Sequence, residues 1–371
     1  MPKHSSATEI AVCADPYFLF DFSRFPVNRH QDVETISGLI KDDVTDILAT
    51  EGVCLLRNFP IEGAEQFSRF VRGLGFDLDD KYQGGAAPRS RIQRAVFNST
   101  EAEPAMIISF HTEQCYQMRR SAVIGFYCNI AAQKYGETPV FDAASVFEKL
   151  QKSIQTKIIQ HGISYRRFFP AHESQLNFQK TWMQAFNTTD RAEVEAILTA
   201  ESATFEWHAD GSLMTNIVMP TAVPDPASGR LCLNINMYEQ FTWPFLFDRF
   251  KARYGNSERR RIVKFMQEQT QDPTPFLQTR FGDGSEISQA ESVAINTAIW
   301  DCADMFEWQK GDILLINNVR YGHARLNLVG PREIFAVLAS AYDVREMSTN
   351  PFFNGVAPSA SQVLSAAPSI N

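Results

Sequence analysis

The chain has 371 residues, 44% hydrophobic and 21% charged, and its 35 Lys and Arg against 43 Asp and Glu give a formal charge of −8. That length suffices for one large domain or two small ones around a sizeable core. The acidic balance, with no long single-sign run, argues against a nucleic-acid polyanion as the main partner, because such binders carry a basic face.

Six cysteines, at 13, 54, 115, 128, 232 and 302, form no CxxC pair, which excludes a zinc ribbon or a thioredoxin-type motif. Met1-Pro2-Lys3-His4-Ser5 lacks an apolar signal core, and no window approaches the length of a membrane span. The expected compartment is the reducing cytoplasm. The 29 Phe residues predict an aromatic interior.

Residues 1–40 read as a mixed surface segment. A helix is expected over 41–51, then a short buried strand in Gly52-Val53-Cys54-Leu55-Leu56-Arg57, then a helix over 62–74 that ends near Gly73 and Gly75. Residues 78–105, rich in Gly, Pro, Arg and Ser, read as a long loop. Ala105 to Phe110 is a strand leading into His111, and Val123 to Ile130 is a second. Residues 145–160 have helical spacing, with Asp142 and Ser145 as candidate caps.

The stretch 165–230 alternates polar segments with one acidic helix near 190–200, as an insertion or lid over a sheet mouth would. Arg230–Met237 reads as a strand and 244–270 as helical. A turn and strand follow at Gly311–Asn318, and the last strand runs from Glu333 to Tyr342. The tail beyond about 350 is rich in Ser, Ala and Pro and is expected to be disordered. Strands near the candidate site with helices outside them predict a mainly β double-stranded β-helix, or jelly roll, with peripheral helices over residues 1–350.

The chemistry centres on His111-Thr112-Glu113. A His and a carboxylate two positions apart on a strand share one face. A second imidazole from His323, in Tyr321-Gly322-His323-Ala324-Arg325, would complete a two-His, one-carboxylate set that leaves open positions on iron(II). Taken alone, each piece also fits a polar pair at a strand end. Gly136-Glu137-Thr138-Pro139 reads as a β-turn whose hydroxyl could also bond a carboxylate. Arg332, after Gly330-Pro331, is a surface cation or a bidentate partner for a carboxylate.

These blocks occur in a specific order. Gly52-Val53-Cys54-Leu55-Leu56-Arg57-Asn58-Phe59, Pro88-Arg89-Ser90 and Asn98-Ser99-Thr100-Glu101 precede His111-Thr112-Glu113. Phe126-Tyr127-Cys128, Gly136 to Asp142, Arg230 to Asn234, Gly311 to Asn318, His323-Ala324-Arg325 and Gly330-Pro331-Arg332 follow it. In this the chain resembles the taurine dioxygenase/TfdA-like family of iron(II)- and 2-oxoglutarate-dependent oxygenases. The likeness is to its natural-product, clavaminate-synthase-like branch and covers most of residues 50–345.

The resemblance implies that His111, Glu113 and His323 hold Fe(II), that Thr138 and Arg332 bind the 2-oxoglutarate co-substrate, and that O2 is the second co-substrate. Arg332 follows His323 at a shorter gap than in the best-known members, so Arg325 is a rival for its role. Glu113 stands where most relatives have Asp, and its presence argues against halogenation, which needs the carboxylate gone.

The implied reaction is hydroxylation of an unactivated carbon in an amino acid or an amino-acid-derived intermediate, free or tethered to a carrier protein. Desaturation or cyclisation by the same oxidant is the alternative. A zinc hydrolase, or a metal-binding or isomerase jelly roll, is the rival from another class. Arg89, Gln114 and Tyr116 are candidate substrate contacts, although Arg89 and Arg91 in the loop before the metal strand read first as solvated charges and second as contacts to a substrate carboxylate. His208-Ala209-Asp210 mimics a metal pair but reads as a polar turn, and His4, His30, His161 and His172 lack a matching carboxylate.

Overall fold

The computed structural model describes residues 19–24, 31–80, 90–173, 180–237, 245, 247–249, 251–269 and 277–347. The helix Val33–Thr50 starts where Asp32, with extended backbone, accepts a hydrogen bond from the Thr35 N–H at 2.8 Å, a side-chain cap for an otherwise orphaned donor. Val33, Ile36, Ile40, Val44 and Leu48 form its buried stripe. With Phe67, Phe70 and Val71 of the helix Gly63–Gly73 they cover one face of a seven-stranded sheet.

The strand order of this major sheet is Leu19–Asp21, Val53–Arg57, Ile313–Asn317, Arg119–Ile130, Glu333–Asp343, Val96–Asn98, Arg91–Gln93. Alternation divides its faces. Cys54, Leu56, Ile313 and Leu315 pack under the helices, whereas Val53, Leu55, Leu314 and Ile316 face a second sheet. Both faces are buried, which is why these strands read as unbroken apolar runs.

The second, minor sheet has four strands in the order Ala303–Asp304, Val140–Asp142, Tyr321–Arg325, Ile108–His111. Val140 and Tyr321 pack with the inner face of the major sheet. On the outer side, Phe110 meets Trp300 of the helix Gln289–Asp301 at 4.4 Å and Phe141 at 5.2 Å, both edge-on. Two facing sheets with helices outside them make the expected jelly roll.

A buried ion pair locks the turn into the strand Ile313–Asn317. Arg57 donates from Nε and Nη2 to the two oxygens of Asp312 at 2.8 and 2.7 Å, the forked geometry that suits a carboxylate.

The elements depart from expectation in informative places. The first helix begins at Val33 rather than 41. The helix expected over 145–160 is two, Ala143–Lys149 and Lys152–His161, parted where Leu150 turns extended at ψ 148°. Gln155 Nε2 fills the break by donating to the carbonyls of Phe147 and Leu150. Asp142 caps the first as expected, accepting from the N–H groups of Ala144 and Ser145, so Ser145 is capped rather than capping.

The loop over 78–105 contains the hairpin Arg91–Gln93 and Val96–Asn98 at the sheet edge. The stretch 165–230 is more regular than its polarity suggested. Thr204–Trp207, Leu213–Met219, Ile163–Phe169 and Leu277–Phe281 form an outer four-stranded sheet, in that order, beside the expected acidic helix Arg191–Ala200. The strand expected over 230–237 shortens to Leu231–Leu233, and the helix of 244–270 is regular over Asn256–Gln269. The expected disordered tail, 351–371, lies outside the described residues.

Candidate active site

His111 ends the edge strand of the minor sheet, and His323 is its direct partner in the antiparallel register. Their rings lie 4.4 Å apart at 51°. Gly322 permits the approach, since a Cβ there would stand 2.2 Å from the Phe141 ring and 2.8 Å from the His111 carbonyl oxygen. His111 Nδ1 lies 2.9 Å from the Ser109 carbonyl oxygen, which fixes the ring and presents Nε2 inward. Phe126, from the major sheet, covers the His323 ring edge-on at 5.1 Å.

The strand ends at His111, so alternation alone does not place Glu113. Asn318 does. Its Oδ1 accepts from the Glu113 N–H at 2.8 Å, and its Nδ2 donates to the carbonyls of Glu113 and Ser121 at 3.0 and 2.9 Å. Buried Asn318 thus clamps the Glu113 backbone from the chain segment that leads to His323.

Glu113 Oε2 stands 3.7 Å from His111 Nε2 and 3.9 Å from His323 Nε2, and the three ligand atoms all lie within 4.8 Å of one another. Two atoms sharing one ion at about 2.0–2.2 Å each can be no more than about 4.4 Å apart, so both His–Glu gaps suit a single ion. Among the described residues this is the one His/Cys/Asp/Glu group disposed to hold a metal.

Two residues along from Thr138, Val140 pairs directly with His323. The Thr138 oxygen accepts from Trp308 Nε1 at 3.0 Å and from Arg332 Nη2 at 3.1 Å. Arg332 Nε donates to the Gly136 carbonyl at 3.0 Å. Gly136 sits at φ 77°, and a Cβ there would press on Ala132 and Leu328, so the turn needs glycine. Burial pushes the Arg332 guanidinium down to about 10, still a cation at neutral pH.

Arg325, the rival, is committed elsewhere. Nη1 donates to the Ala102 carbonyl, and Nη2 to those of Glu103 and Met106, at 2.7–2.9 Å. It clamps the segment that leads into the His111 strand. Burial first, then the nearby Arg332, lowers its pKa to about 9.

The substrate candidates fare differently. Gln114 adopts φ 61°, and its side-chain oxygen accepts from the Ser121 N–H at 2.8 Å. That bond closes the turn after Glu113 through the amide oxygen. Tyr116 carries the Arg167 guanidinium on its ring at 4.2 Å and meets Tyr165 edge-on at 6.3 Å. It therefore joins the metal loop to the outer sheet. Arg89 lies outside the described residues.

His208 and Asp210 lie in the expected polar turn. Asp210 accepts from the Ser212 N–H and hydroxyl in a tight turn. His161 stands 3.7 Å from Asp283, away from the triad. The sequence reading missed Asn318 and Trp308. The signal for Asn318 was its place in the Asn317-Asn318 turn before His323. Trp308, three residues before Gly311, gave none that its spacing could reveal.

Among the described residues, no helix is long and apolar enough to cross a membrane. Cys54, Cys115, Cys128, Cys232 and Cys302 are free thiols.

Comparison with known proteins finds relatives of the chain. The chain is 28% identical to the dapdiamide synthesis protein DdaC of Enterobacter agglomerans over 296 residues, 80% of this chain and 84% of that one. It is equally 28% identical to a clavaminate synthase-like protein of Arabidopsis thaliana over 309 residues, with the same shares. Among solved structures, PvcB, an Fe, alpha-ketoglutarate dependent oxygenase from an isonitrile synthetic pathway, matches at a TM-score of 0.50 and 12% identity. The match covers 93% of this chain and 97% of PvcB and speaks to the fold alone. The model of the taurine catabolism dioxygenase TauD, TfdA family, matches residues 26–338. With its facing sheets and its convergent triad, the chain belongs to the TauD/TfdA family, whose members are dioxygenases dependent on Fe(II) and 2-oxoglutarate.

Proposed function

We propose that His111, Glu113 and His323 hold iron(II), that Thr138 and Arg332 receive the distal carboxylate of 2-oxoglutarate, and that the substrate is an amino acid or an amino-acid-derived intermediate hydroxylated at an unactivated carbon. When bound, iron(II) with 2-oxoglutarate and dioxygen supplies the oxidant and yields succinate and carbon dioxide. The chain's own part is positional. Two imidazoles and one carboxylate fill one side of the ion. Asn318 holds the Glu113 backbone, and Ser109 sets the His111 ring. Phe126 and the apolar layer between the sheets keep that side dry.

The observation that carries the reading is the pairing of this donor triad with a buried corner of donors at Thr138 and Arg332. A zinc hydrolase would need the triad and a water but has no use for that corner. The amino-acid class rests on the likeness to DdaC, named for dapdiamide synthesis. Delivery of the substrate on a carrier protein is the variant of this reading that a screen should include.

The test is anaerobic metal loading followed by a co-substrate consumption screen. With iron(II), 2-oxoglutarate and ascorbate, succinate should form in proportion to consumed amino acid or carrier-bound aminoacyl group. Full zinc occupancy with no succinate under any condition would establish the hydrolase instead.

A further inference from the structure

The Thr138 hydroxyl has two lone pairs and one proton to give. Trp308 Nε1 and Arg332 Nη2 both point hydrogens at its oxygen, at 3.0 and 3.1 Å, and neither group can accept. Both lone pairs are therefore taken. The hydroxyl proton is left to point away from the two donors, and no acceptor stands within hydrogen-bonding distance of it among the described residues. Trp308 is held in place by Phe306, edge-on at 4.7 Å, and only 9% exposed, so its N–H cannot turn to water.

We infer that Trp308 is a positioning residue for the co-substrate: by occupying a lone pair of Thr138 it fixes that hydroxyl as a donor, so the corner offers donors alone and selects an acceptor-only, anionic tail. The inference rests on the proposed 2-oxoglutarate reading of this corner. Without the indole, Thr138 can rotate, accept instead of donate, and so tolerate a tail that carries N–H groups. Trp308 thus governs which 2-oxo acid fits, not only how tightly it is held.

The test uses the full chain loaded with Mn(II) and calorimetric titration of 2-oxoglutarate, of N-oxalylglycine, and of the amide-tailed analogue of 2-oxoglutarate. A lost hydrogen bond to a charged group predicts about 10- to 100-fold weaker 2-oxoglutarate binding for Thr138→Val. Trp308→Phe should weaken it about 3- to 10-fold, by freeing the rotor rather than deleting it. In the Thr138→Val background, Trp308→Phe should add less than about twofold, because the two act through one hydroxyl. Trp308→Phe should also narrow the preference for 2-oxoglutarate over the amide, with Mn(II) affinity unchanged.

Additive losses in the double variant, or an unchanged tail preference in Trp308→Phe, would overturn the inference. Should Trp308→Phe fail to fold, the unaltered protein still decides, since equal binding of the carboxylate and amide tails contradicts a donor-only corner. Failure of the Mn(II)-loaded native chain to bind either 2-oxoglutarate or N-oxalylglycine would instead remove the co-substrate reading itself.

Discussion

The corner around Thr138 is tied to the triad by the pairing of Val140 with His323 and the flank around Tyr116 follows Glu113 directly in the chain, but they are built from different material. The corner is made by the two core sheets and their connections. Thr138, Trp308 and Arg332 bond directly to one another or to the backbone, and Gly136 is shaped to let them meet. The flank is made where the metal loop meets the outer sheet, through a cation–ring contact between Tyr116 and Arg167. Directed, buried hydrogen bonds tolerate little variation, whereas a guanidinium lying on a ring tolerates more. A common co-substrate fits the first kind of construction, and a family of differing substrates fits the second.

The contrast can be broken in graded ways. The largest effect is expected from His111→Ala or His323→Ala, which should abolish Mn(II) binding measured by calorimetry as well as turnover; retained metal affinity would refute the ligand assignment. Arg332→Ala should weaken 2-oxoglutarate binding by about 30-fold or more, the usual cost of truncating one partner of a buried charge pair, with metal affinity intact. Asn318→Ala should lower Mn(II) affinity by about 10- to 100-fold, as loss of a ligand's orienting partner does.

Arg325→Ala should change the 2-oxoglutarate dissociation constant by less than about threefold while lowering the melting temperature, because it leaves buried carbonyls unpaired. A reversed order between the two arginines would move the co-substrate to Arg325. Tyr116→Leu should have the smallest effect on metal and co-substrate. It should alter which substrates are turned over, read as a change in relative kcat/KM across the screen.

The paired apolar strands were legible in sequence because they depend on local pattern, whereas the candidate triad, Thr138 and Arg332 were legible only through the order of blocks shared with the family. Val53–Leu56 and Ile313–Ile316 are apolar at every position, and His323 sits beside the glycine its approach requires. What escaped depends on distant partners or on backbone sign. Trp308 and Thr138 are 170 positions apart, and Asn318 reaches Glu113 across 205. The turn at Gln114 escaped as well, because its left-handed backbone brings the side-chain oxygen onto the Ser121 N–H, a partner that strand alternation does not imply. The outer sheet was hidden by Arg166 and Arg167 in the middle of Ile163–Phe169, where stacking of the second on Tyr116 and Phe169 replaces an apolar side chain.

The clamp of Asn318 on Glu113, together with the register that sets His111 opposite His323, has one more consequence. The donors are held by main-chain pairing and an amide, not gathered by an ion, so the protein should not unfold when stripped by a chelator, unlike small domains whose shape depends on their metal. A preorganised, emptied protein of this kind can be refilled with cobalt or manganese and titrated as a spectroscopic reporter of whatever ligand enters beside it.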